Sequence, residues 1–178
     1  MIELAAYQGT SFISRAIRWQ TRSRYSHVAA RFTGHADIKA PQQYGRSKIV
    51  SIDPGCIIEA WKGGVRLEKS IGSNHTPGTK VDIFAFKKPL TQLQEIAMTR
   101  FLVAQLGKEY DYQAIIRFLT REPVNRLNKA KWFCSELFFE AALVGGQELL
   151  ERCAAWEIPP RDPPRSPLLK FIRQEVTT

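Results

Sequence analysis

The stretch Lys80-Val81-Asp82-Ile83-Phe84-Ala85-Phe86-Lys87-Lys88-Pro89-Leu90-Thr91-Gln92-Leu93-Gln94 divides the chain into two kinds of structure. Up to Phe86 the side chains alternate. Val81, Ile83 and Ala85 fall on one face and Asp82, Phe84 and Phe86 on the other, which is the period of a strand. Past Pro89 the period changes. Thr91-x-x-Gln94 offers the reciprocal cap of a helix start, and Leu93, Ile96, Ala97, Phe101 and Ala104 follow on one helical face until Gly107 ends the run. Working back toward the N-terminus, Ile2–Tyr7, His27–Phe32 and Ile57–Trp61 read as strands, and Gly63-Gly64 turns the last of these into a hairpin over 57–67. Residues 33–48 are polar and contain Gly34, Pro41 and Gly45, which marks a surface insertion, and 70–79 is a loop with two glycines and a proline. Working forward, a helix is predicted over 112–119, a loop around Pro123, and a further helix over 133–144 that stops at Gly145-Gly146.

Strands first and helices second is the pattern of an α+β fold, a mostly antiparallel sheet with helices packed on one face. No GxGxxG, Walker A or HExxH motif is present, so a parallel dinucleotide-binding fold and a zincin are both disfavoured. One helix interrupts the strand region. Over Phe12–Gln20, Phe12, Ile13, Ala16, Ile17 and Trp19 share a sector, and Arg15, Arg18 and Arg22 lie opposite. That predicts a surface helix with its apolar face on the core; the alternative is a helix that docks on a membrane or a partner. Half of the 10 prolines, Pro159, Pro160, Pro163, Pro164 and Pro167, fall in one short stretch. The predicted organisation is therefore one domain over 1–155 and a Pro-rich strap or tail over 156–178.

With 178 residues, 44% hydrophobic and 24% charged, the chain has a globular composition, which excludes wholesale disorder and fibrous architectures. The net charge is +9 and the pI about 9.7. Residues 1–50 hold eight Lys or Arg against two Asp or Glu, with the densest cluster at Arg15, Arg18, Arg22 and Arg24. An excess of that kind fits nucleic acid, anionic lipid or another anionic polymer. The three cysteines, Cys56, Cys134 and Cys153, cannot all pair within one chain and form no CxxC, so a disulfide framework and a Cys-rich zinc site are disfavoured. Neither a signal-peptide pattern nor an 18-residue apolar run is present, and a cytoplasmic protein is expected.

Cys134 is the most informative residue. It sits in Trp132-Phe133-Cys134-Ser135-Glu136-Leu137-Phe138, at the predicted first turn of a helix. Free N–H groups and the positive end of the helix dipole are expected there to lower a thiol's pKa and to hold an oxyanion. The plainer alternative is a small buried core thiol. A nucleophilic cysteine needs a base. His27 opens a strand, whereas His35 and His75 lie in polar loops and read as solvent-exposed. Glu59, flanked by apolar residues in Ile57-Ile58-Glu59-Ala60-Trp61, shares a face with Ile57 and Trp61 and could orient an imidazole; Asp53 and Asp82 are weaker alternatives, and a solvent-facing strand Glu is the bland one.

In order, Tyr25-Ser26-His27-Val28-Ala29, then Ile58-Glu59-Ala60 leading to Gly64-Val65, then Gly107-Lys108-Glu109-Tyr110-Asp111-Tyr112 and Phe133-Cys134-Ser135-Glu136-Leu137 resemble the circularly permuted branch of the NlpC-like papain superfamily, the group of YiiX-like proteins and lecithin retinol acyltransferase. In that branch the His-bearing strand comes first and the Cys-bearing helix last. The resemblance implies a papain-like sheet or half-barrel with Cys134 as nucleophile, His27 as general base, Glu59 as the residue orienting the imidazole, and Tyr110 assisting at the oxyanion. It implies a cysteine hydrolase of the peptidase or amidase kind, without cofactor or metal. The bond cleaved would be an amide or ester, in a peptidoglycan-type peptide or a lipid acyl group, through a thioacyl intermediate. The competing expectations are a lipid-directed acyltransferase at an anionic membrane surface and a basic nucleic-acid-binding module without catalysis.

Overall fold

The computed structural model describes residues 1–40, 48–113 and 131–178. Six strands make the central sheet: β1 (Ile2–Tyr7), β2 (His27–Phe32), β5 (Ile57–Trp61), β6 (Gly64–Glu68), β7 (Lys80–Phe86) and β10 (Leu169–Val176). They lie in the order β10-β7-β1-β2-β5-β6 with every neighbouring pair antiparallel. β1 is buried along its whole length, as its nearly unbroken apolar run Ile-Glu-Leu-Ala-Ala-Tyr requires of a central strand. The β5–β6 hairpin turns at Lys62-Gly63, where Gly63 and Gly64 take φ of 95° and 118°. A Cβ on Gly64 would also stand 2.5 Å from the Lys108 carbonyl oxygen, so both its conformation and its neighbour require glycine.

Three helices complete the described architecture: α1 (Phe12–Gln20), α2 (Gln92–Ala104) and α3 (Cys134–Val144). The cap expected at Thr91 is present, with the Gln94 N–H donating to Thr91 Oγ1 at 3.3 Å and the Thr91 N–H to Gln94 Oε1 at 3.0 Å. α2 buries Met98, Thr99, Leu102 and Val103, a face about one residue round from the expected stripe, and Leu93 is exposed. The reason is the neighbouring helix: Gly145 has no side chain, and Met98 fills the space where its Cβ would be. α2 and α3 cover one face of the sheet, burying Leu4, Ala6, Val28, Ala30, Ile58 and Ala60 against Met98, Leu102, Leu137 and Phe138. The other face carries a smaller cluster of Ala5, Tyr7, Ala29, Ile57, Val81 and Ile83 beneath Ile71 of the 70–79 loop.

Two expectations change. α1 does not pack its apolar face on the core: only Ser14 and Ile17 are buried, while Phe12 and Trp19 are 86% and 79% exposed. The helix is tied close to the backbone of Gly9, whose carbonyl accepts from Arg18 Nη1 at 3.1 Å, and a Cβ on Gly9 would collide with Ser14. At that separation small Ser14 faces inward and the bulky aromatics face out. The C-terminal residues form more than a strap or tail. Short 3₁₀ turns at Ala155–Glu157 and Pro163–Arg165 carry the chain past buried Ile158 and Pro163. Leu169–Val176 then joins the sheet beside β7, with a bulge between Phe171 and Arg173.

The polar segment after Phe32 contains its own ribbon, β3 (Ala36–Lys39) paired with β4 (Ile49–Ile52). The helix expected over 112–119 and the Pro123 loop lie outside the described residues beyond Gln113. Among the described residues no helix is long and apolar enough to cross a membrane.

Candidate active site

His27 and Tyr7 face each other across the β1–β2 ladder, and Glu59 stands on β5 on the same side of the sheet. Alternation along Ile57-Ile58-Glu59-Ala60-Trp61 sends Ile58 and Ala60 into the helix-side core and leaves Glu59 and Trp61 with His27. Glu59 is not a solvent-facing strand residue; it is 1% exposed, as is His27. The two are joined, His27 Nε2 to Glu59 Oε2 at 2.7 Å.

The loop over 70–79 closes on this pair. His75 Nε2 meets the same Glu59 oxygen at 3.1 Å, and Asn74 Nδ2 donates to Oε1 at 3.2 Å. His75 was expected to face solvent. Instead its ring stacks on Tyr7 at 4.0 Å between centroids, with Trp61 4.9 Å away, and its side chain is nearly inaccessible. No periodicity marks His75 in the sequence; the signal that could have found it is the need of a buried carboxylate for donors. His35 does lie at the surface, between Asp37 and Asp53, which removes Asp53 from the site. Asp82 is also elsewhere, buried under Tyr25, Gln8 and Gln174.

The electrostatics follow from burial and these contacts. Burial opposes the charge on Glu59, but the bonds from His27 and His75 outweigh it and hold the carboxyl well below its ordinary range. Burial pushes His27 below its ordinary value, against the pull of Glu59, so the imidazole is neutral at pH 7. An ionised carboxylate only accepts, which places the proton of His27 on Nε2 and a lone pair on Nδ1. That buried Nδ1 has no hydrogen-bond partner, the Cys134 thiol included.

Cys134 occupies the first turn of α3 and is 2% exposed. The β2–β5 ladder covers only Ala30–Ile58 and Arg31–Ile57, so the register is not continued to His27. The backbone N–H of Val28, one residue beyond His27, is directed to the Cys134 sulfur, as are those of Ser135 and Cys134 itself. These donors lower the thiol's pKa, but burial dominates and pushes it up to about 12. The N–H groups at the helix start thus act on the thiol in the expected direction, and burial, the alternative the sequence also offered, acts against them more strongly. Ser135 fixes the helix start by donating to the Ile158 carbonyl of the Pro-rich segment. Tyr110 is carried to this end by a short parallel pair, β8 (Glu109–Tyr110) with β9 (Lys131–Trp132). It is buried and in electrostatic contact with Cys134, and its hydroxyl is held well above its ordinary pKa by burial and then by that neighbour.

A cavity of about 280 Å³ opens beside these groups, lined by Ile13, Ser14, Ile17, Ser26, Trp61 and Tyr110 among others. Trp61 sets its ring edge-on to His27 at 4.6 Å, and Ser26 precedes that histidine in the chain. A bound molecule would therefore rest between α1 and the groups around Cys134.

No protein-family model matches the chain, and no curated protein matches it. Among solved structures it is similar to the metalloprotein YiiX from Escherichia coli O157:H7, at 14% identity with a TM-score of 0.64, over 97% of this chain and 96% of that one. The α+β architecture is thus a YiiX-like fold, shared along nearly the whole length.

Proposed function

We propose that the protein is a cysteine hydrolase acting on an amide or ester. The observation that carries this reading is buried His27 joined through Nε2 to buried Glu59 at 2.7 Å, with its Nδ1 free of any hydrogen bond and the Cys134 sulfur at the neighbouring Val28 amide. When substrate seats in the cavity, the Cys134 proton passes to His27 Nδ1 as the sulfur bonds to the carbonyl carbon. The thiol is protonated at rest, so the nucleophile is made during attack. The resulting oxyanion is met by the N–H of Cys134 and the hydroxyl of Tyr110. Collapse breaks the bond to the leaving amine or alcohol, which takes the proton from His27 and departs, leaving a thioester. Water gives a proton to His27 and attacks the thioester, and the acid and free thiol are restored. A thiol-directed acyl probe followed by peptide mass spectrometry tests this. Modification at Cys134 that vanishes in Cys134→Ala and His27→Ala supports it; modification confined to Cys56 or Cys153 overturns it.

A second reading has its own observation. His27, Glu59 and His75 bring two imidazole nitrogens and a carboxylate oxygen within 4.8 Å of one another, and the structural neighbour is described as a metalloprotein. These donors suit a divalent cation in kind, and the hydrogen-bond separations of 2.7 and 3.1 Å would have to open toward the roughly 3.3 Å between ligands of a tetrahedral zinc for the three residues to hold one. Such a cation would supply positive charge to polarise a carbonyl or water. It would occupy His27 Nε2 and leave the proton on Nδ1, so the two readings exclude each other within one molecule. Stoichiometric metal in purified protein, lost in His75→Ala, would favour this reading; metal-free protein that acylates at Cys134 would favour the first.

A further inference from the structure

We infer that α1 is a docking element for an anionic lipid bilayer. The inference stands apart from the reading of Cys134, because it rests on a different surface. Phe12, Ile13 and Trp19 are 86%, 58% and 79% exposed, a concentration of large apolar side chains that an ordinary surface helix turns inward. Ser14 and Ile17 are the buried residues of the helix and Arg18 ties it to the Gly9 carbonyl, so the ridge Phe12-Ala16-Trp19 lies on the side turned to solvent. Aromatic and aliphatic groups of this kind enter the boundary between headgroup and acyl chain when a helix lies flat on a membrane.

The charge around the ridge identifies the occupant. Arg15 stands beside Phe12, Ala16 and Trp19 in one shallow groove, and with Arg18 it flanks Trp19 in another. Arg22 is exposed just beyond the helix end, and Arg24, exposed as well, reaches buried Asp82 at 3.9 Å. Arg22 is held at φ 49°, a left-handed position that usually goes to Gly or Asn, yet the residue there is a cation. Between Glu3 and Asp37 the sequence has no acidic residue. Apolar groups ringed by guanidinium groups match a surface that is hydrocarbon below and phosphate above. A nucleic acid would use the arginines but would leave Phe12 and Ile13 without a role. Because Ile13, Ser14 and Ile17 also wall the cavity, a helix lying in the bilayer surface sets the cavity mouth at the lipid boundary.

Flotation of the full chain with vesicles tests this, using phosphatidylcholine alone and phosphatidylcholine mixed with phosphatidylglycerol. The mixed vesicles should carry the protein and the neutral ones should not, and binding should weaken with added salt. The double variant F12S/W19S should lose at least tenfold in partitioning. In R15Q/R22Q the loss should be about fivefold per arginine. All variants should keep the wild-type melting temperature and the wild-type labelling of Cys134, since none of these residues is buried. Equal recovery from both vesicle types, undiminished flotation of F12S/W19S, or retention by duplex DNA or RNA in place of vesicles would each overturn the inference.

Discussion

The two faces of the central sheet are built on different principles. The face under α2 and α3 is apolar over its centre, where residues are interchangeable in kind: Leu4, Ala6, Val28, Ala30, Ile58 and Phe138 differ in volume but not in what they require of a neighbour. Asp82, opposite Ala6 on β7, is the buried charged exception, bonded to Tyr25, Gln8 and Gln174. The face under the 70–79 loop mixes small apolar residues with Glu3, Arg31, His27, Glu59 and His75, each of which needs a particular partner. Space-filling specifies the first and hydrogen bonding specifies the second. Volume can be met in many ways, whereas an unpaired buried carboxylate cannot be left unmet, so the second face is where a defined chemical arrangement is maintained.

That contrast can be broken by mutation. Phe138→Ala on the helix side should cost about 3–5 kcal/mol, read as a fall in melting temperature, while side chains on the loop side keep their contacts. Glu59→Gln should cost less, about 1–3 kcal/mol, because it removes a charge but keeps an acceptor for His27. It should nevertheless lower turnover, or the rate of acyl-probe labelling, by about 10²-fold or more. If Glu59→Gln proved as active as wild type, the loop-side face would be structural only.

Acid should distinguish the faces next. His27 is held neutral below its ordinary 6.5, so below that pH the unfolded chain binds a proton that the fold refuses, and stability falls. Glu59 is held ionised below its ordinary 4.5; its contribution is present above that pH and is lost as pH drops toward the folded value. Chemical denaturation from neutral pH downward should show a decline beginning near pH 6.5 and steepening below 4.5, with the steeper part absent in Glu59→Gln. The smallest effect should come from His75→Phe, which keeps the stacking on Tyr7 but removes one donor to Glu59. About 1 kcal/mol and less than tenfold in labelling rate are expected. A larger loss of labelling, with metal lost in parallel, would transfer His75 from support to the centre of the site.

The helix-side face was legible in the sequence and the loop-side face only in part. Strand alternation and turn chemistry define β1, β2, β7 and the β5–β6 hairpin, and the Thr91 cap defines the start of α2, because these signals are local. Glu59 was legible for the same reason, since its parity sets it apart from Ile58 and Ala60. His75 was not: it sits among Ser, Gly, Asn and Pro, and only the ring of Tyr7 and the carboxylate of Glu59, both remote in the chain, draw it inward. For Cys134 the sequence offered both a helix-start thiol and a buried core thiol, and the structure combines them: position is local and legible, whereas depth depends on segments remote in the chain. α1 shows a similar limit: its apolar stripe was visible, but not that Gly9 and Ser14 would turn the stripe outward. β10 was obscured by the prolines before it, which say nothing of the pairing that Leu169–Val176 finds once past them.

That last strand has a kinetic consequence. β10 lies against β7, although almost the whole of the helical layer separates them in sequence. During synthesis β1, β2, β5, β6 and β7 can assemble while the outer edge of β7, from Val81 to Phe86, still presents unpaired amides and carbonyls. Until Leu169–Val176 arrives, a nascent chain displays an open edge to other nascent chains. The folding yield of this protein should therefore be sensitive to crowding on the ribosome and to any delay in completing the segment after Pro167.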